Sequence, residues 1–365
     1  MNKFLTEDEL KGRHSEEKQQ LHREIQEKDA SLREYRKEHG KLEVFFNRVI
    51  DCIEPISPLD SVFEKMYRSK KGHKQTEIIP VMHNTDAHMG AVQEPDEIEH
   101  FGQFNPALCD KRVLGFAGGY VDWCQLHRGP YNIKKCHVLF TGDLISGDIH
   151  EELRITNEFP VTEQVVRAAQ LYAKEIALLA PYFEEVTCEF VTEDNHSRLT
   201  KKPQAKEAGI NSYGYLIAKM LEAYIAKLDN VQFNIHAMHE KVVRVSTRNY
   251  LLTHMHGVKA WMGIPWYGIE RRAAREATAR QSIIMSDISR ANEIGFHKII
   301  HGHFHTPFDT PLYSGGGSVS GTDAYDHGCG RHSAPSQSAW MVHPKWGEFN
   351  RINFWLERYD NDENS

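Results

Sequence analysis

The segment KIIHGHFHTP, Lys298–Pro307, sets three histidines two residues apart, directly after the apolar run IGFHKII (294–300). That run reads as a buried strand, and imidazoles at its end are costly to bury unless something pairs with them. The question is what His301, His303 and His305 face.

Four strand-like runs upstream end in the same chemistry. EIIPVMHNTDAHMG brings Asp86 and His88, KCHVLFTGD brings Asp143 behind a glycine, EEVTCEFVTEDNH brings Asn195 and His196, and NYLLTHMHG brings His254 and His256. Between them lie stretches of helical spacing, LCDKRVLGFAGGYVDWCQLH, TEQVVRAAQLYAKEIALLA and SYGYLIAKMLEAYIAKL, then short strands around VQFNIH and KVVRVS. Strands and helices in alternation, followed by a run of strands, predict an α/β domain with a mixed sheet or two. In such sheets ligands bind beyond the carboxyl ends of the strands. The five segments are therefore expected to aim their side chains into one crevice.

Carboxylate, imidazole and amide oxygen without thiolate suit divalent ions such as Mn²⁺, Fe²⁺ or Zn²⁺. The set is too large for one tetrahedral zinc. It fits two ions sharing a bridging carboxylate, roughly 3.5–4 Å apart, which can hold a bridging hydroxide and clamp a phosphate. Asp143, in its tight glycine turn, is the expected bridge. Each piece alone has an ordinary explanation: DAH as a capping pair, GD as a turn, NHSR as a helix N-cap, HGHFH as an exposed cluster. Their occurrence together, in order and each at a strand end, does not.

The series D-x-H, G-D, N-H, H and G-H-x-H resembles the calcineurin-like metallophosphoesterases over residues 79 to about 357. The resemblance implies a sandwich of two mixed β-sheets flanked by helices, with a dinuclear centre at the strand ends. It puts Asp86, His88, Asp143 and His305 on one metal, and Asp143, Asn195, His303 and a histidine of THMHG on the other. His254 follows the apolar run YLLT directly, whereas His256 precedes a glycine; His254 is taken first, with His256 as the alternate. His196 is implied to act on the leaving-group oxygen rather than to bind metal, as an imidazole near neutral pH can. His301 has no place in the set and reads as a supporting or core residue, with Gly302 expected to let the backbone turn tightly. The implied cofactors are two divalent ions, Mn²⁺ first, with Fe, Zn, Mg or Ni as alternatives. This chain departs from the family pattern in GDLISGD, where the usual second aspartate is displaced to Asp148. It departs again in EDNHS, where Asp194 replaces a glycine and Ser197 an acid.

The chain has 365 residues, is 40% hydrophobic and 26% charged, and carries a formal net charge of -7. Such a composition is that of a soluble globular protein, without a global basic field to attract nucleic acid. No run has the length of a membrane span and no membrane partner is expected. The six scattered cysteines lack a CxxC pair, which suggests reduced thiols and a cytoplasmic setting. Residues 1–45, with EEKQQLHREIQEKDASLREYRKEHGKLE, form a charged helical extension. Leu21, Ile25, Leu32, Tyr35, Leu42 and Phe46 make a broken heptad seam able to dock on the body, on a second copy or on a partner protein. A connector follows over 46–78, with Lys70, Lys71 and Lys74, then the phosphoesterase-like domain over 79–357. Within it, 257–293 reads as a helical insertion on the substrate side and the Gly/Ser-rich 313–337 as a long mobile loop; 358–365 reads as a disordered acidic tail.

Substrate clues lie in GVKAWMGIPWYGIERRAAREATARQ. Trp261, Trp266 and Tyr267 precede Arg271, Arg272, Arg275 and Arg280, with Arg271 and Arg275 on one helix face. Aromatics beside cations near a metal centre suit stacked bases and a phosphate backbone. Trp261, Tyr267, Arg271 and Arg275 are the expected substrate contacts, although the aromatics could equally pack the helix onto its sheet. This segment, with the later GSVSGTDAYDHGCGRHSAPSQSAWMVHPKWG, is similar to phage-encoded and SbcD-type exonuclease-like members of the family. That likeness implies a nucleic-acid phosphodiesterase, with DNA favoured as substrate. A phosphatase or phosphodiesterase for small nucleotides, or a non-catalytic scaffold, remains the alternative.

Overall fold

The computed structural model describes residues 26, 28–30, 33, 40, 44, 46–54, 75–259 and 263–361. The chain divides into two units, Met1–Ile53 and Glu54–Ser365. In the first, every described residue from Gln26 to Asp51 is helical, so helix continues past residue 45, where the connector was expected to begin. The seam residues Leu21, Ile25, Leu32, Tyr35 and Leu42, and the connector lysines, lie outside the described residues.

The second unit contains the strands β1 (Thr76–Glu77), β2 (Ile79–Asn84), β3 (Tyr131–Asn132), β4 (Lys135–Phe140), β5 (Glu185–Val191), β6 (Val231–His236) and β7 (Glu240–Val245). They continue as β8 (Arg248–Thr253), β9 (Lys298–His301), β10 (Phe308–Asp309), β11 (Tyr313–Gly315), β12 (Ser336–His343) and β13 (Gly347–Trp355). One mixed sheet has the order β13-β12-β2-β4-β5-β6 and a second the order β10-β11-β9-β8-β7, beside a small β1-β3 pair. β2, β4, β5 and β6 run parallel, with β12 and β13 added antiparallel. The α/β fold expected from the sequence, two mixed sheets flanked by helices, is the fold observed.

Helices Pro106–His127, Val161–Leu179 and Tyr213–Tyr224 connect the parallel strands. The first begins with Asn105 accepting from Leu108 N–H and proline at its first position, the third with Ser212 accepting from Tyr215 N–H. Phe140 of β4 meets Tyr172 of the second helix edge-on at 5.3 Å. The strands' other faces bury Val81, Leu139 and Val191 against Val243, Val245, Tyr250, Leu252 and Ile300 of the second sheet, forming the inter-sheet core. Trp340 sits fully buried there, its indole N–H donating to Tyr250 O–H at 3.1 Å, so burying both rings strands no polar atom. Because strand side chains alternate faces, Leu251 points away from that core, where it and Ile299 pack with Ile269 and Ala273 of helix Trp266–Ser286.

Both sheets end at a common edge. Asn84 pairs with Phe140 and Phe140 with Phe190, while Leu252 pairs with Ile300. Asp86, Asp143, Asn195, His254 and His303 therefore follow their strands at nearly the same level.

Two expectations are corrected. The 313–337 stretch is packed rather than mobile: it supplies β11, helix Ala324–Gly328 and the buried Ser314, Ser318, Thr322, Asp326 and Arg331. The tail is not free from residue 358, since Tyr359 is buried and the Asp360 carboxylate takes two 2.8 Å hydrogen bonds from buried Arg112. Strand β12 is buried along its whole length and shows no polar alternation. Among the described residues, no helix is long and apolar enough to cross a membrane.

Candidate metal centre

Two clusters of possible ligands stand at the strand ends: Asp86, His88 and His305 in one, Asp143, His254 and His303 in the other. Their loops are sewn together by main-chain bonds. Asp86 N–H donates to Gly142 C=O at 3.0 Å, His88 N–H to Asp143 C=O at 3.1 Å, and Met89 N–H to Leu144 C=O at 3.0 Å. His303 N–H donates to both oxygens of Asp86 at 3.0 Å, which couples one cluster to the other.

The backbone is strained where these side chains leave it. Asp86, His88, Asp143, His303 and His305 have φ of 50°, 48°, 50°, 78° and 56°. Non-glycine residues rarely enter that region, and each such residue costs on the order of 1–3 kcal/mol unless its surroundings enforce it. Five of them at one strand edge aim side chains into a common space at the expense of stability.

Two glycines serve the site differently. Gly142 (φ 105°) makes the turn ahead of Asp143, and a Cβ on it would meet Asp194 Cβ at 2.7 Å and His254 Nδ1 at 2.9 Å. Gly302 is not left-handed; the left-handed residue beside it is His303. The glycine is needed because a Cβ would run into Thr85 and Asp86.

The imidazoles are oriented from behind. His254 Nδ1–H donates to Thr141 C=O at 2.8 Å, which turns its Nε2 to Asp143 Oδ2, also at 2.8 Å. His305 Nδ1–H donates to Asp326, whose other oxygen pairs with Arg331 at 2.7 Å, leaving His305 Nε2 3.0 Å from His88 Nε2. A carboxylate behind an imidazole fixes the tautomer and raises the basicity of the front nitrogen. Burial opposes charge on His254, yet Asp143 beside it lifts its pKa to about 10. Burial, together with His196 and His305, pushes His88 down to about 3, so that ring is a neutral donor of a lone pair.

Asn195 sits beside these clusters with Oδ1 buried and without a hydrogen-bond partner among the described residues. Leaving a buried acceptor unmet costs roughly 1–3 kcal/mol. Imidazole nitrogens 3.0 Å apart, two carboxylates and an orphaned amide oxygen form a donor set that fits divalent cations.

His196 stands at the rim, its side chain 17% exposed. Its main-chain N–H donates to Asp143 Oδ1 at 3.1 Å and its Nδ1–H to Ser146 C=O at 2.6 Å, so Nε2 is the free nitrogen, 3.9 Å from Asp143 Oδ2. No helix follows Ser197; its N–H and hydroxyl satisfy Asp194, whose buried carboxyl is held well above the usual range by burial and by Asp143.

His301 faces neither cluster. It is fully buried, donates from Nδ1 to Gly302 C=O at 2.8 Å, and is pushed down to about 4 by burial. His256 joins Glu193 and His239 in a separate group rather than Asp143. Of the expected substrate contacts, Arg271, Arg275 and Tyr267 are exposed on helix Trp266–Ser286, and Trp261 lies outside the described residues. Arg272 and Arg280 are held in ion pairs with Glu240 and Glu276, and Trp266 packs on Phe308 at 4.7 Å. The sequence pointed to neither Asp326 nor the Glu193–His239 pair. The short helix-cap pattern beginning at Asp323 was the one local signal near Asp326.

No protein-family model and no curated protein matches the chain. Among solved structures, Vps29 complexed with Zn²⁺ from Entamoeba histolytica superposes with a TM-score of 0.27 at 12% identity, covering 75% of this chain and 98% of that one. A predicted phosphoesterase from Streptococcus pneumoniae TIGR4 does so at 0.27 and 10%, covering 76% and 97%. The sulfate thiohydrolase SoxB from Thermus thermophilus, in complex with glycerol, does so at 0.32 and 9%, covering 79% and 57%. Likenesses at TM-scores this low carry no weight for function, which rests on the residues themselves.

Proposed function

We propose that the chain is a phosphoesterase dependent on two divalent metal ions, hydrolysing phosphodiester bonds, with nucleic acid as substrate and DNA favoured. The observation that carries this reading is the pair of facing clusters with Asn195 Oδ1 unmet between strand ends and His196 Nε2 free at their rim. In this reading Asp86, His88 and His305 hold one ion, and Asn195, His254 and His303 the other, with Asp143 shared. His254, anchored on Thr141, is the ligand in place of His256. Two bound ions, Mn²⁺ first, would neutralise phosphoryl charge and acidify a water.

The chain's own residues do the rest. The carbonyl of Ser146 accepts from His196 Nδ1–H, which leaves Nε2, on the side of Asp143, as the atom that would carry a transferable proton. That proton passes from Nε2 to the departing alkoxide, and the ring then recovers one from solvent at the rim. Asp143 holds the His196 main chain, so the acid and the bridging carboxylate move as one piece. Tyr267, Arg271 and Arg275, exposed on their helix, are proposed to meet the rest of the substrate.

A second reading, a phosphoesterase for small nucleotides, is favoured by the engagement of Arg272 and Arg280 in ion pairs, which leaves a thin cationic surface for a polymer. Mn²⁺-dependent degradation of labelled single- and double-stranded DNA and RNA, measured beside bis-(p-nitrophenyl) phosphate and mononucleotides, tests the choice. Cleavage of polymer that is lost in Asp143→Asn supports the first reading; intact polymers with hydrolysed nucleotides support the second. No hydrolysis of any phosphoester with any divalent metal would remove both.

A further inference from the structure

A third group of ligands flanks the paired clusters. Glu193 lies beyond β5, His239 in the turn between β6 and β7, and His256 beyond β8, and the three offer ligand atoms all within 4.8 Å of one another. Glu193 Oε2 is 2.5 Å from His239 Nδ1 and Glu193 Oε1 is 3.3 Å from His256 Nε2. The His256 ring lies 5.9 Å from that of His254 and 6.4 Å from that of His303.

We propose that Glu193, His239 and His256 form a third divalent-cation site, of the two-histidine, one-carboxylate kind, taking a borderline ion such as Zn²⁺. Zinc bonds of about 2.0–2.2 Å to nitrogen and oxygen set tetrahedral ligand atoms roughly 3.3–3.5 Å apart, and Glu193 and His256 already stand at that separation. Two imidazoles with one carboxylate favour zinc over magnesium. His256 Nδ1 is buried without a hydrogen-bond partner among the described residues, so the protein leaves part of this ring's capacity unused.

Electrostatics gives the site a purpose. On the phosphoesterase reading proposed above, the Glu193 carboxylate beside the paired clusters opposes an anionic substrate. A cation on Glu193 reverses that sign next to the second cluster. The three residues come from three chain segments and from both sheets, so an ion there also ties the β6–β7 turn to the strand-end loops.

Metal-stripped full-length protein is dialysed to equilibrium against buffered free Zn²⁺, and the bound zinc is counted by elemental analysis. The expected result is one equivalent fewer in His239→Ala than in the unaltered protein, and the same single loss in Glu193→Gln. The His239 side chain is 42% exposed, so its removal leaves the core closed, and circular dichroism verifies the fold. Equal zinc in all three proteins would overturn the third site. Failure of the paired centre shows separately, as unchanged zinc in Asp143→Asn.

Discussion

Strand β9 has a buried charged cluster at each end, and the two are built on opposite plans. At its start, Lys298 Nζ pairs with Asp309 at 2.6 Å and Glu348 at 2.7 Å, and Arg351 Nε reaches Asp309 at 3.1 Å. Two cations face two anions, so the charges in this cluster balance. Beyond its other end, His303 and His305 enter a space where imidazole nitrogens approach each other, carboxylates crowd in and Asn195 Oδ1 has no hydrogen-bond partner among the described residues. Five residues there hold left-handed backbone, against none of Lys298, Asp309, Glu348 or Arg351. Balanced charge on relaxed backbone marks a structural cluster. Nitrogen and oxygen ligands converging from strained backbone suit a cation.

Mutations at the two ends should separate along that line. Asp143→Asn removes the shared carboxylate, and hydrolysis should fall to background while the circular dichroism spectrum is kept. Retained turnover would break the contrast outright. His196→Ala should lower kcat by about 10²–10⁴-fold, the range of a general acid, with metal content unchanged. A loss of metal instead would make His196 a ligand.

At the balanced end, Lys298→Met should cost about 2–3 kcal/mol in urea unfolding and leave metal affinity untouched. A fully buried broken pair would cost more, but Asp309 is 41% exposed. Asp326→Asn weakens the hold on His305 from behind and should reduce metal affinity by about 10–100-fold, with little change in stability. A metal affinity equal to that of the unaltered protein would reduce Asp326 to packing.

Much of the centre is legible in the sequence, for a physical reason. Each ligand directly follows an apolar strand, and parallel strands in register deliver their ends to one edge, so Asp86, Asp143, Asn195, His254 and His303 announce themselves locally. His301 and His305 lie close in the chain yet part company, because the β9 main chain ends between them. What stays hidden depends on contacts between distant segments. Asp326 is 21 residues beyond His305 in a Gly/Ser-rich stretch whose small side chains pack rather than fluctuate. His239 sits in an unremarkable turn and meets Glu193 only when the second sheet folds over the first. Arg272 and Arg280 look free in the sequence, and Glu240 and Glu276 claim them in the fold.

The most direct measurement of the central claim is anomalous diffraction from crystals loaded with Mn²⁺. The account predicts two peaks about 3.5–4 Å apart, one against Asp86, His88 and His305, the other against Asn195, His254 and His303, with Asp143 reaching both. A single peak, or two peaks neither of which touches Asp143, would contradict it.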